Sequence, residues 1–258
     1  MAQISAQRVG GAHTSQAHDE RISNARLREI MSDLLPKFGD QYWSNHVLVG
    51  VRRQTLARQL YFAELYKLIL DVPGVVLEFG VQWGAGLVQL INLRGMHEPY
   101  NHTRKIVGFD TFSGFPSVSD SDGGESEVGD YSTFENYEYL LEEILTIHEG
   151  YSPLNHIRKF ELVKGDATET SRLWLDENPH ATVSMAIFDM DLYQPTKDAL
   201  EAIIPRLTKG SVLVFDELNS PHFPGETRAL NDVLGLNNIR LHRFPHQNYC
   251  SWAIWGEQ

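Results

Sequence analysis

The stretch "VSMAIFDMDLY", residues Val183 to Tyr193, is the part of the sequence that indicates the fold most clearly. An apolar run is followed at once by two acids, Asp189 and Asp191, which lie one residue apart. Such a run is typical of a buried strand whose last residues reach solvent or a ligand. The functional question is why this strand ends in paired carboxylates.

Other segments between Val75 and Glu217 share the pattern, and most are separated by enough residues for a helix. They read "VVLEFGV", "KIVGFD", "FELVKGD" and "SVLVFDE". Short buried strands that alternate with helices predict an α/β fold, a Rossmann-like doubly wound and mostly parallel sheet. In such sheets ligands bind beyond the carboxyl ends of the strands, and here each strand reaches acid or glycine at that end.

Composition excludes several classes of protein. With 258 residues and 42% hydrophobic content, the chain can form one large domain with a full core. The formal net charge of −12 argues against a nucleic-acid partner, because phosphate-backbone readers carry basic patches. The one cysteine, Cys250, excludes an internal disulfide framework. No apolar run approaches the roughly 20 residues that span a bilayer, and no signal peptide is evident. We therefore expect a soluble, cytoplasmic protein without a membrane partner.

The organisation along the chain changes twice. Residues 1–22 are polar and aperiodic, which predicts a mobile tail, and residues 23–70 form an amphipathic helical extension. The stripes of these helices either pack onto the domain, cap a substrate site or form an oligomer interface. Residues 71–258 carry the α/β pattern. Within them, the acidic loop Ser117–Ser132 is either a functional lid or disordered.

A glycine-rich turn follows the first predicted strand. In "VLEFGVQWGAG", Gly80, Gly84 and Gly86 precede a helix, so the backbone can turn tightly and approach a ligand near the helix N-terminus. The spacing departs from the GxGxxG fingerprint of dinucleotide-binding proteins, and the next strand-end acid, Asp110, lies 30 residues beyond Gly80. This argues against NAD.

Three acids lie at or near successive strand ends, Glu78, Asp110 and Asp166. A carboxylate at Asp110 is suited to accept both hydroxyls of a ribose, and Asp166 to accept from an exocyclic amine such as that of adenine. Together they predict a pocket for a cationic adenosine derivative. The alternative for each acid alone is a helix cap or a solvated loop.

A second group of acids follows the fourth and fifth strands. Asp189 and the pair Asp216 and Glu217 are separated by about one helix with its loops, so their carboxylates can converge. Converging negative charges favour a bound cation, and oxygen ligands without a histidine or cysteine pattern favour Mg²⁺, with Mn²⁺ or Ca²⁺ as alternatives. The other interpretation is that Asp189 and Asp191 cap the following helix, where Pro195 suits the first turn.

Several of these segments together resemble a known family. "DVPGVVLEFGVQWGAG", "IVGFDTFSGFP", "VKGDATET", "FDMDLYQPTKDALEAIIPRLTKGSVLVFDE" and "PGETRAL" resemble class I S-adenosylmethionine-dependent methyltransferases and, more narrowly, the macrocin O-methyltransferase family of sugar O-methyltransferases. The resemblance implies a set of cofactor-binding residues: Glu78, Gly80 and Gly84 for the methionine part, Asp110 for the ribose, and Thr111, Phe112, Asp166 and Ala167 for the adenine.

The resemblance also implies the reaction. The expected activity is methyl transfer from S-adenosyl-L-methionine to a deoxysugar hydroxyl in antibiotic biosynthesis, with the 3-hydroxyl of TDP-rhamnose as one acceptor and a nucleotide-linked sugar or a glycoside as the acceptor class. Asp189, Asp216 and Glu217 are the expected ligands of Mg²⁺ or another divalent cation, and Asp189 is also the expected catalytic base. The role of Asp191 stays open. In this family the second pair usually reads DDY, whereas "DEL" stands here, so Glu217 departs from the pattern.

Other functions remain as alternatives. One is an oxidoreductase, dependent on NAD or on iron; iron would require two histidines and a carboxylate, and the HxE pattern His18 to Glu20 lies in the predicted tail. Another is a noncatalytic adenosine-binding module. A histidine such as His222 is an alternative base. We also expect a homo-oligomer, and the cations available for an acceptor diphosphate are Arg52, Arg53, Arg58 and Arg228.

Overall fold

The structure is a computed structural model that describes residues 7–9, 12–14, 18–39 and 41–257. The chain divides into two compact units, Met1–Leu60 and Tyr61–Gln258. The boundary lies ten residues before the start that the sequence predicts for the α/β domain.

The first unit is short and mainly helical. Strands β1 (Gln7–Val9) and β2 (Ala12–Thr14) pair antiparallel, and they are followed by α1 (His18–Leu34), α2 (Trp43–His46) and the start of α3 (Arg53–Leu68). Short 3₁₀ turns cover Leu35–Lys37 and Val47–Gly50. Helix α1 begins at His18, within the segment predicted as a tail. Half of residues 1–22 lie outside the described residues, and the mobility predicted for this segment stays a prediction.

The second unit contains the predicted alternation of strands and helices. Its strands are β3 (Val75–Phe79), β4 (Ile106–Asp110), β5 (Phe160–Lys164), β6 (Val183–Phe188), β7 (Leu207–Phe215), β8 (His242–Arg243) and β9 (Ser251–Ile254). Its helices are α4 (Ala85–His97), α5 (Tyr137–Gly150), α6 (Ala167–Glu177), α7 (Tyr193–Ile203) and α8 (Gly225–Leu234). No helix in the described part of the chain is long and apolar enough to cross a membrane.

The seven strands of this unit form one sheet in the order β5-β4-β3-β6-β7-β9-β8. Strands β3 to β7 run parallel, whereas β9 pairs antiparallel with β7 and β8 with β9. The predicted α/β class with a mostly parallel sheet is therefore confirmed. The strand order reverses between β3 and β6, which is the switch point where open sheets of this kind bind ligands.

Four phenylalanines align the carboxyl ends of four neighbouring parallel strands. Phe109, Phe79, Phe188 and Phe215 lie opposite one another on β4, β3, β6 and β7. Their rings stack at centroid distances of 4.8, 5.4 and 5.1 Å, and each ring is at most 1% exposed. Offset ring pairs of this kind add about 0.5–1.5 kcal/mol each beyond burial. The residues that directly follow these phenylalanines are Asp110, Gly80, Asp189 and Asp216. The row of stacked rings therefore keeps these four residues level with one another at the strand ends.

Candidate active site

The carboxyl ends of the central strands are held together by backbone hydrogen bonds. The N–H of Asp189 donates to Phe79 O at 2.8 Å, and the N–H of Asp216 donates to Phe188 O at 3.0 Å. Because β3, β6 and β7 are neighbours, the glycine-rich turn after β3 and both groups of acids lie along one edge of the sheet. The two halves of the site predicted from the sequence are thus adjacent.

The glycine-rich turn requires glycine at two positions for reasons visible in the structure. Gly80 has φ +90°, and a Cβ there would lie 1.8 Å from the backbone oxygen of Asp189. A Cβ on Gly86 would lie 1.8 Å from Oε1 of Glu78, a carboxylate that is 2% exposed. The Glu78 side chain therefore lies against the start of α4, and Gly84, with φ +78°, is the N-cap of that helix.

Asp110 anchors this turn. Its Oδ2 accepts hydrogen bonds from the backbone N–H groups of Val81 at 2.7 Å and Gln82 at 2.8 Å, and its Oδ1 accepts from the N–H of Phe112 at 2.5 Å. The sequence predicted a ribose-binding acid at Asp110. The structure shows, in addition, that this carboxylate joins the ends of β3 and β4, so it sets the shape of the turn whatever ligand it meets.

The residues predicted around an adenine border the same edge. Asp166 is the N-cap of α6, and its Oδ1 accepts from the N–H of Thr168 at 2.9 Å, which is the capping role considered as an alternative. Thr111 donates its hydroxyl to Gly114 O at 2.7 Å. Phe112 is buried and has φ +56°. Adenine contact by these residues and by Ala167 remains a prediction.

Asp191 is the most unusual of the acids after β6. Its side chain is 7% exposed and its backbone has φ +62°, a left-handed conformation that costs free energy in a residue other than glycine. Burial, together with the nearby charges of Asp189, Glu217 and Asp216, raises the pKa of Asp191 well above its usual range. The four predicted acids after β6 and β7 therefore share one electrostatic environment.

Sequence reasoning missed Glu226, which lies in the same place. It is fully buried, and its carboxylate accepts hydrogen bonds from the backbone N–H groups of Asp191 and Glu217. Burial and the charges of Asp191, Asp189 and Asp216 raise its pKa well above the usual range. The segment "PGETRAL" that contains it contributed to the family resemblance, but no role was predicted for this glutamate.

The acidic loop Ser117–Ser132 packs onto this group of acids. The Tyr131 hydroxyl hydrogen-bonds with Asp191, and burial, followed by the charge of Asp191, raises the pKa of Tyr131. The buried Asp122 accepts from the Ser119 hydroxyl at 2.7 Å and from the N–H of Tyr193 at 2.5 Å. The loop is therefore attached to the start of α7.

Two further contacts involve candidate groups. The Cys250 thiol donates to Asp216 Oδ1 at 2.8 Å, so the cysteine lies beside a predicted metal ligand. His222, the alternative base, has Nδ1 2.8 Å from Glu125 Oε2 in the acidic loop.

Within the described ranges, no three side chains of histidine, cysteine, aspartate or glutamate are arranged as a preformed metal site.

A cavity of about 410 Å³, lined mostly by residues with polar groups, lies beside the start of α7. It is lined by Ser121, Tyr193, Thr227, Arg228, Asn231, Asp232 and Leu236. Tyr193 follows Asp191 by two residues, and Thr227 follows Glu226 directly. Of the four arginines proposed for an acceptor diphosphate, Arg228 lines this cavity, and its guanidinium donates to Asp120 O at 3.1 Å.

Comparison with known proteins agrees with this geometry. A solved structure of CalS11, calicheamicin methyltransferase, is 39% identical, covers 98% of this chain and 99% of its own, and superposes with a TM-score of 0.89. The apo structure of CalS11, described as a TDP-rhamnose 3'-O-methyltransferase, is 37% identical over 95% of this chain and 97% of its own, with a TM-score of 0.82.

A curated relative from Streptomyces olivaceus is 29% identical over 72% of this chain and 68% of its own length. It is 8-demethyl-8-(2,3-dimethoxy-alpha-L-rhamnosyl)-tetracenomycin-C 4'-O-methyltransferase. The family model for macrocin-O-methyltransferase (TylF) matches residues 8–239. The chain therefore belongs to the macrocin O-methyltransferase family of S-adenosylmethionine-dependent enzymes.

Proposed function

We propose that this enzyme transfers a methyl group from S-adenosyl-L-methionine to a hydroxyl of a rhamnose-like deoxysugar in antibiotic biosynthesis, and that the reaction needs a divalent cation. The observation that carries the proposal is the likeness to CalS11 over 98% of the chain, because that protein is described as a TDP-rhamnose 3'-O-methyltransferase. The Streptomyces olivaceus relative is named for a rhamnosyl substrate. Since these relatives are methyltransferases, the oxidoreductase alternative has no support from them.

The turn after β3 fits the cofactor. S-adenosylmethionine supplies an electrophilic methyl group on a sulfonium. The buried carboxylate of Glu78, directed at the start of α4, and the glycines Gly80 and Gly84 would hold its methionine part. Asp110, whose Oδ2 fixes the turn, would present its carboxylate edge to the ribose, beside Phe112.

The acids after β6 and β7 fit a cation through their charge. The pKa of Asp191 is raised first by burial and then by the charges of Asp189, Glu217 and Asp216, and a cation among these acids would relieve the repulsion between them. Asp189, Asp216 and Glu217 would hold the ion, which would lower the pKa of the sugar hydroxyl. Because these side chains are not gathered as a preformed site, the ion would draw them together.

Asp189 is the proposed base. Its backbone is fixed by the hydrogen bond to Phe79 O, and its backbone oxygen lies against Gly80 of the cofactor turn. This places the residue where the cofactor end and the acid end of the site meet. As the O–C bond forms and the methyl–sulfur bond breaks, Asp189 would accept the proton that the sugar hydroxyl gives up.

The cavity beside α7 is the proposed site for the rest of the acceptor. Arg228 supplies a guanidinium, Thr227 and Ser121 supply hydroxyls, and Tyr193 supplies a ring. A guanidinium that binds phosphate oxygens suits a nucleotide-linked sugar better than an uncharged glycoside. We therefore propose a nucleotide-linked deoxysugar as the acceptor.

A methyl-transfer screen tests the function. TDP-rhamnose, other nucleotide-linked deoxysugars and rhamnosyl glycosides are each incubated with enzyme and S-adenosylmethionine, and products are detected by mass. The expected result is a gain of one methyl group on a nucleotide-linked sugar that is abolished by EDTA and restored by Mg²⁺. Methylation of no sugar would overturn the function, and full activity in EDTA would overturn the cation requirement.

A further inference from the structure

We infer that Glu226 is a positioning residue that holds the loops after β6 and β7 at a fixed separation. The catalytic consequence of this inference rests on the proposed function, whereas the tie between the loops does not. Glu226 is fully buried, so it acts on the reaction through the residues that it holds rather than by touching a substrate.

One carboxylate bridges the two loops. Glu226 Oε1 accepts a hydrogen bond from the backbone N–H of Asp191 at 3.3 Å, and Oε2 accepts from the backbone N–H of Glu217 at 3.1 Å. Asp191 lies two residues after Asp189, and Glu217 lies one residue after Asp216. The bridge thus joins the backbones that carry the proposed base and the proposed cation ligands.

The start of α8 is packed directly against the first of these loops. A Cβ on Gly225 would lie 2.5 Å from both Asp191 O and Tyr193 N, so only a glycine allows the helix to approach this closely. The next residue of the helix is Glu226 itself. The close packing at Gly225 therefore places the Glu226 carboxylate between the two loops.

The loop that Glu226 holds is strained. Asp191 has φ +62°, and such a conformation persists only where its surroundings fix it. Three hydrogen bonds help to do so here: the N–H of Asp191 donates to Glu226, the N–H of Tyr193 donates to Asp122 at 2.5 Å, and the Tyr131 hydroxyl bonds with the Asp191 side chain. Loss of the first contact would let the loop relax and would shift Asp189, two residues away.

Hydrogen exchange followed by mass spectrometry tests the tie in the wild-type protein and in variants. In the wild type, the amides of Asp191 and Glu217 should exchange slowly. Glu226→Gln keeps one acceptor, the amide oxygen, and replaces the other carboxylate oxygen with a donor, and Glu226→Asp shortens the side chain by one methylene. In either variant, peptides that cover both amides should exchange at least about tenfold faster, as expected for the loss of a hydrogen bond to a buried carboxylate.

The Val81–Gln82 amides, held by Asp110, should keep their exchange rates, and the exposed Glu177→Gln is the matched control. If Asp191 and Glu217 already exchange in the wild type at the rate of exposed loops, the inference is overturned even if neither variant folds. The same conclusion follows if a folded variant exchanges both amides at the wild-type rate.

Kinetics test the consequence for catalysis. A folded Glu226 variant should lose at least about tenfold in kcat, because misplacement of a catalytic group by about 1 Å costs on the order of a hundredfold. Its affinity for S-adenosylmethionine should stay within about threefold, which a general loss of folded structure would not allow. Unchanged kcat, or equal loss of kcat and cofactor affinity, would contradict a positioning role. If the wild type methylates no sugar, the proposed function fails, and the exchange result still decides whether Glu226 holds the loops.

Discussion

The backbone oxygen of Asp189 lies 1.8 Å from the point that a Cβ on Gly80 would occupy. The turn proposed to hold the cofactor and the loop that carries the proposed base are thus in direct contact at their backbones. Neither backbone can move towards the other without displacing it. Cofactor binding by the turn and the position of Asp189 are therefore coupled through Gly80 and Asp189.

Gly80→Ala should therefore damage both functions together. The new methyl group would push Asp189 and the turn apart, and the φ of +90° is unfavourable for alanine. We expect cofactor affinity to fall by at least about tenfold and the melting temperature to fall by several degrees. Gly150→Ala is the matched control, since a Cβ there meets nothing within 4 Å. Calorimetric titration with S-adenosylmethionine and thermal melts measure both effects; a wild-type result for Gly80→Ala would refute the link.

Asp110→Asn should weaken the cofactor site while leaving the acids after β6 unaffected. In either orientation the asparagine NH₂ would face a backbone N–H, either the two that now donate to Oδ2 or that of Phe112 on Oδ1, so the turn would lose an anchor. We expect S-adenosylmethionine to bind at least about tenfold more weakly, given that hydrogen bonds to charged groups are the strong ones. Asp176→Asn, an exposed change on α6, should bind normally. Normal cofactor affinity in Asp110→Asn would be incompatible with this account.

Stability without added metal should depend on pH through the buried acids. The pKa values of Asp191 and Glu226 are raised in the folded protein, so the folded state keeps protons that the unfolded chain loses from about pH 4 upward. Their contribution to stability is present at low pH and is lost as the pH rises through the raised values. Thermal melts across this range in EDTA should show the decline.

Asp191→Asn should raise the melting temperature in EDTA at pH 7 by about 2–4 °C, because it removes a buried acid whose raised pKa costs stability as the pH rises above about 4, and about 1 kcal/mol shifts a protein of this size by that amount. Asparagine also tolerates the left-handed backbone at this position. The decline of stability with pH should become shallower in the variant. A lower melting temperature than that of the wild type would show that the buried Asp191 acid does not destabilise the folded state.

Arg228→Ala should raise KM for a nucleotide-linked acceptor. Arg228 lines the cavity at the start of α7, and loss of its guanidinium would remove the proposed phosphate partner, for which we expect an increase of about tenfold or more. Cofactor affinity should be unchanged, and Arg172→Ala on α6 serves as the control. Initial-rate kinetics provide the measurement. An unchanged KM would place the acceptor diphosphate elsewhere.

The sheet could be predicted from the sequence because its five parallel strands are short apolar runs that end in acid or glycine. The pairing of Asp189 with Asp216 across adjacent strands followed from the same pattern. The supporting contacts could not be predicted. Asp110 receives its hydrogen bonds from a turn 28 and 29 residues earlier in the chain, and backbone donors have no signature in the sequence.

Glu226 was missed for a related reason. An acid in the first turn of a helix is ordinarily a solvated residue that interacts with the helix dipole, and only the packing of Gly225 against Asp191 buries this one. In the sequence, Cys250 argues only against an internal disulfide framework. It contacts Asp216 because β9, just after it, pairs with β7, an antiparallel pairing that the alternating pattern did not predict.

The central claim is that Asp189 accepts the proton from a sugar hydroxyl during methyl transfer. Its most direct test is the turnover of Asp189→Asn on the acceptor found in the screen, measured together with its affinity for S-adenosylmethionine. If Asp189 is the base, kcat should fall by at least about a hundredfold, in the range of general base catalysis, while cofactor affinity stays within a few-fold of the wild type. Near-normal turnover in Asp189→Asn would contradict it.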